Sequence, residues 1–365
     1  MKILIYSLGK SGTTALAYGI SQTLNDHELN FEPSSLSKVN YKCNNLIVKS
    51  IYADRWEKDQ DYFDKFDKVI LLIRNPLDRI VSYLLYMPYN GDGFSDDRNA
   101  QAYITLLKKK VENPESVGIH DIDKCYGNID VVGRNSLIEV VKKQSEKLEN
   151  FYHSQYCKNF FVLKYEDFVQ SNLDELSSYL SCQVSSTVRV SQKHKRTERS
   201  KSFNNYQSFF LEEELQQSKK DFESFNDTFG YTLESEAKRN DAKSSSALSP
   251  EMTYGYTTKI INEYRKKHLL PLYNYGQVNI QQEGVLFDKA RRQMVKKNLE
   301  RAENLLTKSI EINESFLAAH FKLAKIQEQK QNYILSINHL KNCLQVDPDC
   351  ENAIKMLKQI EAKIK

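Results

Sequence analysis

The residues with the clearest chemical potential lie near the N-terminus, in the run Gly9-Lys10-Ser11-Gly12-Thr13-Thr14. Two glycines permit a tight turn and close backbone approach, the three hydroxyls are hydrogen-bond donors, and Lys10 adds a cation. Where such a turn joins a strand to a helix, the first helical N–H groups lack intrahelical partners and point at whatever lies beneath them. The chemistry expected is the binding of an anion. A second group is Arg74, Asp78 and Ser82 in "RNPLDRIVS". Arg74 ends an apolar run, Pro76 suits a first helical turn, and four-residue steps put Asp78 and Ser82 on one helix face. Arg74 and Ser82 can face the same ligand. Asp78 is expected as a solvated helix charge, with pairing to Arg74 or Arg79 as the alternative.

The surrounding pattern supplies the elements that must position these groups. "KILIYSL" reads as a strand, and "TTALAYGISQTL" follows with helical spacing of its apolar residues. "NNLIVKSI", "KVILLIRN" and "NFFVLKYED" are further short apolar runs, of the type buried on both faces of a parallel sheet. Helical patterns separate them, notably "PLDRIVSYLLYM" and "SLIEVVKKQSEKLENFYHS". This alternation implies an α/β fold, a three-layer arrangement around a mostly parallel sheet with ligands at the carboxyl ends of the strands.

Beyond "FNDTFGYTL" the composition changes. Residues 236–250, "EAKRNDAKSSSALSP", are polar and Ser-rich and read as a linker, 251–282 as a helical connector, and 283–365 as an all-α region. That last region repeats at 34 residues: Leu306 recurs as Leu340, Ile310 as Leu344, Ile312 as Val346, Ala290 as Ala324 and Leu299 as Tyr333, and Pro348 closes the second unit. The period resembles the tetratricopeptide repeat, two units of which would be followed by a final helix from Ala353 to Ile364. A plain helical hairpin extension is the alternative.

Bulk properties narrow the function. With 365 residues, 40% hydrophobic and 27% charged, the chain is an ordinary globular protein of about two domains, and its net charge of +4 is too mild for a dedicated nucleic-acid binder. The six cysteines are scattered with no C-x-x-C, and the seven histidines show no metal-ligand spacing, so neither a disulfide framework nor a metal is expected. "MKILIYSL" is too short for a signal segment, and no stretch approaches eighteen apolar residues; a cytoplasmic protein without a membrane span is the expectation. The segment 188–203, "VRVSQKHKRTERSKSF", concentrates six Lys and Arg residues and reads as a solvated loop, with nucleic-acid binding as a second possibility.

Taken together, the landmarks resemble sulfotransferases that use 3′-phosphoadenosine 5′-phosphosulfate (PAPS). Lys10-Ser11-Gly12-Thr13-Thr14 resembles their 5′-phosphosulfate loop, P-K-S-G-T-T, and Arg74-x-x-x-Asp78-x-x-x-Ser82 is similar to their 3′-phosphate motif. "VLKYEDFVQSNLDELSSYL" and "FGYTL" resemble two later segments, so the likeness covers residues 1–235. It implies PAPS as sulfuryl donor, adenosine 3′,5′-bisphosphate as product, no metal, and cofactor binding by Lys10, Ser11, Gly12, Thr13, Thr14, Arg74 and Ser82, with Arg199 and Lys201 closing over the 3′-phosphate. The departures are specific. Gly9 stands in place of a proline, Ala15 in place of a frequent tryptophan, the R-K-G pattern of the basic loop is missing, and Ile51 stands where small-molecule members carry a histidine base. Phe31-Glu32-Pro33 is similar to the F-E-P of carbohydrate sulfotransferases, which makes Glu32 the candidate base and a glycan the implied acceptor, with a small metabolite, lipid or protein side chain left open. Lys10 and Lys49 complete the catalytic group.

Two other classes compete. A small-molecule or nucleotide kinase would also use a strand, a Lys- and Thr-containing loop and a helix. A Walker A loop ending at Gly9-Lys10-Ser11, however, needs its first glycine at position 4, where Leu4 stands. Alternatively, the repeats are the functional part, binding a protein partner or self-associating, and the N-terminal domain is inactive.

Overall fold

The computed structural model describes residues 1–33, 39–51, 62–90, 92–129, 136–199, 201–232, 248–276 and 282–364. These fall into two compact units: the described parts of Met1–Tyr86, Lys109–Asp123 and Ser136–Thr253 form one, and those of Met87–Lys108, Lys124–Asn135 and Tyr254–Lys365 the other.

The first unit is built on a sheet whose strands are all parallel: β1 (Lys2–Ser7), β2 (Glu28–Phe31), β3 (Leu46–Ile51), β4 (Lys68–Ile73) and β5 (Phe161–Lys164), in the order β2-β3-β1-β4-β5. The expected α/β class is the observed one. β1, β3 and β4 are nearly continuous apolar runs because both faces are covered. Alternation then sorts their side chains. Ile3, Ile5, Ile47, Ile70 and Leu72 pack with Leu16 and Ile20 of α1 (Thr13–Thr23), and Leu4, Tyr6, Val48, Leu71 and Ile73 pack on the opposite side. β2 was not legible as a strand: "ELNF" has four residues, lies at the sheet edge and is mostly half-exposed, so no apolar run marks it.

The chain leaves β1 toward β2 and β3 on one side and returns to β4 and β5 on the other. The reversal falls at β1 and β4, the switch point where open α/β sheets bind ligands. The helices that follow in chain order are α2 (Pro76–Tyr86), α3 (Asp97–Glu112), α4 (Ile119–Ile129), α5 (Leu137–Tyr152), α6 (Tyr165–Gln170), α7 (Asp174–Leu180), α8 (Tyr206–Phe209), α9 (Glu212–Asp221) and α10 (Glu223–Phe229), of which α3 as far as Lys108 and α4 from Lys124 belong to the second unit. Leu148 and Phe151 of α5 and Phe225 and Phe229 of α10 fill the layer on the Tyr6 face, and Phe168 of α6 and Leu176 of α7 the layer on the Ile5 face.

In the second unit, α11 (Tyr256–Lys267) precedes a run of helices, α12 (Gln282–Val295), α13 (Leu299–Ile312), α14 (Leu317–Gln329), α15 (Tyr333–Val346) and α16 (Glu351–Ile364). Leu299 and Tyr333 open α13 and α15, and Leu317 and Glu351 open α14 and α16, so both pairs of starts keep the 34-residue step. Ala290, Leu306, Ala324 and Leu340 are fully buried, as the repeat requires, whereas Ile312 and Val346 are exposed. Most of the linker expected at 236–250 lies outside the described residues. No helix among the described residues is long and apolar enough to cross a membrane.

One buried carboxylate secures the helices beside the sheet. Glu214 of α9 accepts N–H bonds from Ile119 and His120 at the start of α4, each 2.9 Å, and from Leu211 at 2.8 Å, and its Oε1 also lies 2.9 Å from His120 Nδ1. Gly118 is obligatory there, since a Cβ would sit 2.2 Å from Glu214 Oε1. Burial pushes the Glu214 pKa up, but His120 and the three N–H groups outweigh it and hold the carboxyl at about 2. A depressed carboxyl contributes stability that is complete above its unfolded pKa and is lost as pH falls through the folded one. Glu214→Gln is therefore expected to cost on the order of 3 kcal/mol at pH 7. It should also flatten the loss of stability between about pH 5 and 2, read by urea denaturation across that range.

Candidate functional site

The turn after β1 is shaped by two residues in the left-handed region, Lys10 at φ 63° and Gly12 at φ 89°. Gly12 is the N-cap of α1, whose first turn has no side-chain cap and no acidic residue, and Ser11 and Thr13 are buried beside it. Gly12 cannot carry a side chain, because its Cβ would lie 2.4 Å from the Tyr165 ring. At Gly9 a Cβ would lie 2.4 Å from Tyr83 Oη, so a side chain there would require the tyrosine to shift. Thr14 is half-buried on the first turn.

Arg74, immediately after β4, reaches across to this turn. Its Nη1 donates to the Lys10 carbonyl at 3.1 Å, its guanidinium lies 4.3 Å from the Tyr165 ring centroid, and its Nη2 is 3.7 Å from Asp78 Oδ2. Only 6% of Arg74 is exposed, and its buried Nε has no hydrogen-bond partner among the described residues. Asp78 is not the solvated helix charge that the sequence pointed to: it is 0% exposed. Its carboxylate accepts N–H bonds from Asn204 at 2.8 Å and Tyr206 at 3.0 Å, and its ion pair is with Arg74, not Arg79. Burial raises the Asp78 pKa, while Arg74, the two N–H groups and Arg199 oppose the shift. Ser82 is half-exposed one turn further along α2.

A neighbouring stripe of α2 holds the turn itself. Arg79 is buried, with Nε donating to the Gly9 carbonyl at 3.2 Å, Nη1 to Ser145 Oγ at 3.2 Å and Nη2 to Gln144 Oε1 at 2.6 Å. Tyr83 abuts Gly9, and the Lys10 ammonium lies 3.4 Å from the centroid of the Tyr86 ring. Residues 79, 83 and 86 follow the i, i+4, i+7 spacing of one helix face.

Across the sheet, Glu32 follows β2 and Lys49 sits in β3. The Glu32 N–H donates to the Lys49 carbonyl at 2.8 Å, and the two side chains form an ion pair in which Lys49 is buried and Glu32 is 48% exposed. Burial lowers the Lys49 pKa; Glu32 raises it and Arg196 lowers it again. Phe31 packs against His194 with centroids 4.4 Å apart, and Tyr18 Oη lies 2.9 Å from His194 Nδ1 and 2.6 Å from Ser191 Oγ. The basic segment is thereby fastened to the middle of α1 and the end of β2.

The outcome is a concentration of positive charge. The Lys10 pKa is driven well down, first by burial and then by Arg74, Arg199, Lys49 and Arg196 in that order. Arg199, of the two residues expected to close over the site, belongs to this cluster; Lys201 is 64% exposed and paired with Glu198 at 3.3 Å. Arg196, His194, Tyr165 and Tyr86 are the additional residues here. The basic composition of 188–203 signals Arg196, and the "YED" segment contains Tyr165, but only tertiary packing brings them to Lys10.

The two later landmarks also meet. Glu166 Oε1 accepts the Asn75 N–H at 3.2 Å, and its Oε2 accepts the Tyr231 hydroxyl at 3.0 Å. Burial raises the Glu166 pKa and, with the neighbouring Glu166 charge, holds the Tyr231 phenol well above its ordinary value. The start of α2, the start of α6 and the segment after α10 are thus joined beneath the Arg74 stack. Among the described residues, no three His, Cys, Asp or Glu side chains converge as metal ligands.

No protein-family model matches the chain, and no curated protein does. Among solved structures, it is similar to a mouse sulfotransferase complexed with PAP at 13% identity and a TM-score of 0.33, over 66% of this chain and 87% of that one.

Asp78 organises this region from below, since one carboxylate serves Arg74 and the Asn204–Tyr206 turn together. Asp78→Ala strands a buried guanidinium and two buried N–H groups and is expected to destabilise the protein by about 3 kcal/mol, measured by urea denaturation. A loss under about 1 kcal/mol, typical of a solvated helix charge, would show that the network carries no weight.

Proposed function

We propose that the first unit is a sulfotransferase that moves a sulfuryl group from PAPS to an acceptor hydroxyl or amine. The observation that carries this reading is the hydrogen bond from Arg74 to the Lys10 carbonyl. It joins the two phosphate-end motifs of the resemblance at the carboxyl ends of adjacent strands, where one doubly phosphorylated nucleotide can span them.

The residues present fit such a ligand. Arg74 keeps a buried Nε–H with no hydrogen-bond partner among the described residues, and the repulsion that adds to burial in lowering the Lys10 pKa is relieved by a polyanion. Lys10, the backbone of residues 11–14 and the hydroxyls of Ser11, Thr13 and Thr14 would hold the 5′ end. Arg74, Ser82 and Arg199 would hold the 3′-phosphate, with Arg196 supplying the charge that the resemblance gives to Lys201. When bound, PAPS supplies an activated sulfuryl group whose transfer, like that of a phosphoryl group, builds negative charge on the leaving oxygen. Lys10 and the uncapped N–H groups of α1 meet that charge with fixed positive potential. Glu32, held by Lys49, accepts the proton of the acceptor, and Lys49 steadies the peripheral oxygens. A glycan acceptor rests on Phe31-Glu32-Pro33 alone. The residue pair closing β4 is Arg74-Asn75, whereas a kinase would place a magnesium-binding carboxylate on such a strand end.

In this layout, residues 1–235 are the catalytic domain, 236–250 a linker and 251–282 a connector. Residues 283–365 are tetratricopeptide-like repeats that bind a protein partner or self-associate.

Calorimetry with adenosine 3′,5′-bisphosphate in the absence of magnesium tests the donor site. Tight binding is expected, and a requirement for magnesium with ATP as the better ligand would favour the kinase. Lys10→Ala is expected to lower turnover by on the order of a hundredfold or more. Arg74→Ala should erase the preference for the 3′-phosphorylated nucleotide over its dephosphorylated form. Glu32→Gln should depress turnover while leaving nucleotide affinity unchanged. Radiolabelled PAPS incubated with glycan, lipid and protein fractions identifies the acceptor by the fraction that gains label.

A further inference from the structure

The Lys10 ammonium is faced by Arg74 after β4, Lys49 in β3, and Arg196 and Arg199 from the basic segment, and all four oppose its charge. Among the described residues it has no carboxylate partner: Glu32 is engaged by Lys49, and Asp78 by Arg74 and two N–H groups. What it does have is the face of Tyr86, 3.4 Å from Nζ to ring centroid, well inside the range in which a ring quadrupole attracts a cation. The rest of the turn is immobilised around this contact. Arg74 holds the Lys10 carbonyl and Arg79 the Gly9 carbonyl, which fixes the backbone from which the lysine reaches the last turn of α2.

We propose that Tyr86 is a positioning residue of the anion site, holding the Lys10 ammonium in place and charged without neutralising it. The inference deepens the sulfotransferase reading and rests on it for the identity of the anion. A carboxylate at position 86 would also keep Lys10 protonated, but as a salt bridge that an incoming phosphate would have to displace. An aromatic face attracts the cation and carries no net charge, so the positive potential of the cluster stays available to the ligand. The contact is made with the face of the Tyr86 ring, which makes phenylalanine the conservative replacement.

The test is the titration of Lys10 in the full-length protein. Lysines are labelled biosynthetically with 13C and 15N, the Lys10 13Cε signal is identified by its loss in Lys10→Arg, and its midpoint is followed by NMR in wild type, Tyr86→Phe and Tyr86→Leu. Tyr86→Met, which fills similar space without a ring, replaces the leucine variant if that protein does not fold. Removing the ring is expected to lower the Lys10 midpoint by roughly 0.5 to 1.5 pH units, and the phenylalanine variant should match wild type. The affinity for adenosine 3′,5′-bisphosphate, measured in parallel, should weaken at a correspondingly lower pH in the leucine or methionine variant. Equal Lys10 midpoints in wild type and the ring-less variant overturn the proposal, as does a phenylalanine variant shifted as far as leucine. If Lys10 shifts as expected while wild type binds no nucleotide, Tyr86 keeps its role and the sulfotransferase reading fails instead.

Discussion

Everything at the carboxyl edge of this sheet is organised by repulsion among like charges. Lys10, Lys49, Arg74, Arg196 and Arg199 act on one another across the ends of β1, β3 and β4 and the segment that covers them. Arg74 is restrained by a carbonyl, an aromatic face and the Asp78 carboxylate, Lys10 by a ring, and Lys49 by a half-exposed glutamate. The rest of the first unit can be understood as the framework that keeps these groups from relaxing apart.

Helix α2 is the main part of that framework. One stripe, Arg79, Tyr83 and Tyr86, grips the turn after β1, while Asp78 on the adjoining stripe anchors Arg74 and the backbone at Asn204 and Tyr206. A single helix therefore links three stretches far apart in the chain. Glu166 adds a second tie, from the start of α2 to Tyr231, so that the turn before the helix is held as firmly as the helix itself.

Much of this was legible in the residues. The apolar runs of β1, β3, β4 and β5, the turn at 9–14, Arg74 as a strand-end cation and the 34-residue step of the helices all follow from local patterns that packing reinforced. β2 was hidden because an edge strand of four residues needs no apolar run. The misjudged residue, Asp78, fails for a general reason: exposed and buried carboxylates on a helix look alike in sequence, and what separates them is a backbone segment 126 residues away. Tyr86 and His194 were out of reach for the same cause, since the partner of one is the turn after β1 and those of the other are α1 and β2, brought together only by the fold. The positional signal was present only as composition.

The placement of Glu32 after the edge strand has a consequence for local stability. β1 and β4 each have neighbours on both sides, whereas β2 pairs with β3 alone through four residues. Opening fluctuations concentrate at such margins, so backbone amides of β2 should exchange with solvent sooner than those of β1 and β4. The Lys10 and Arg74 end of the sheet is thereby built on strands held from both sides and the Glu32 end on one held from a single side.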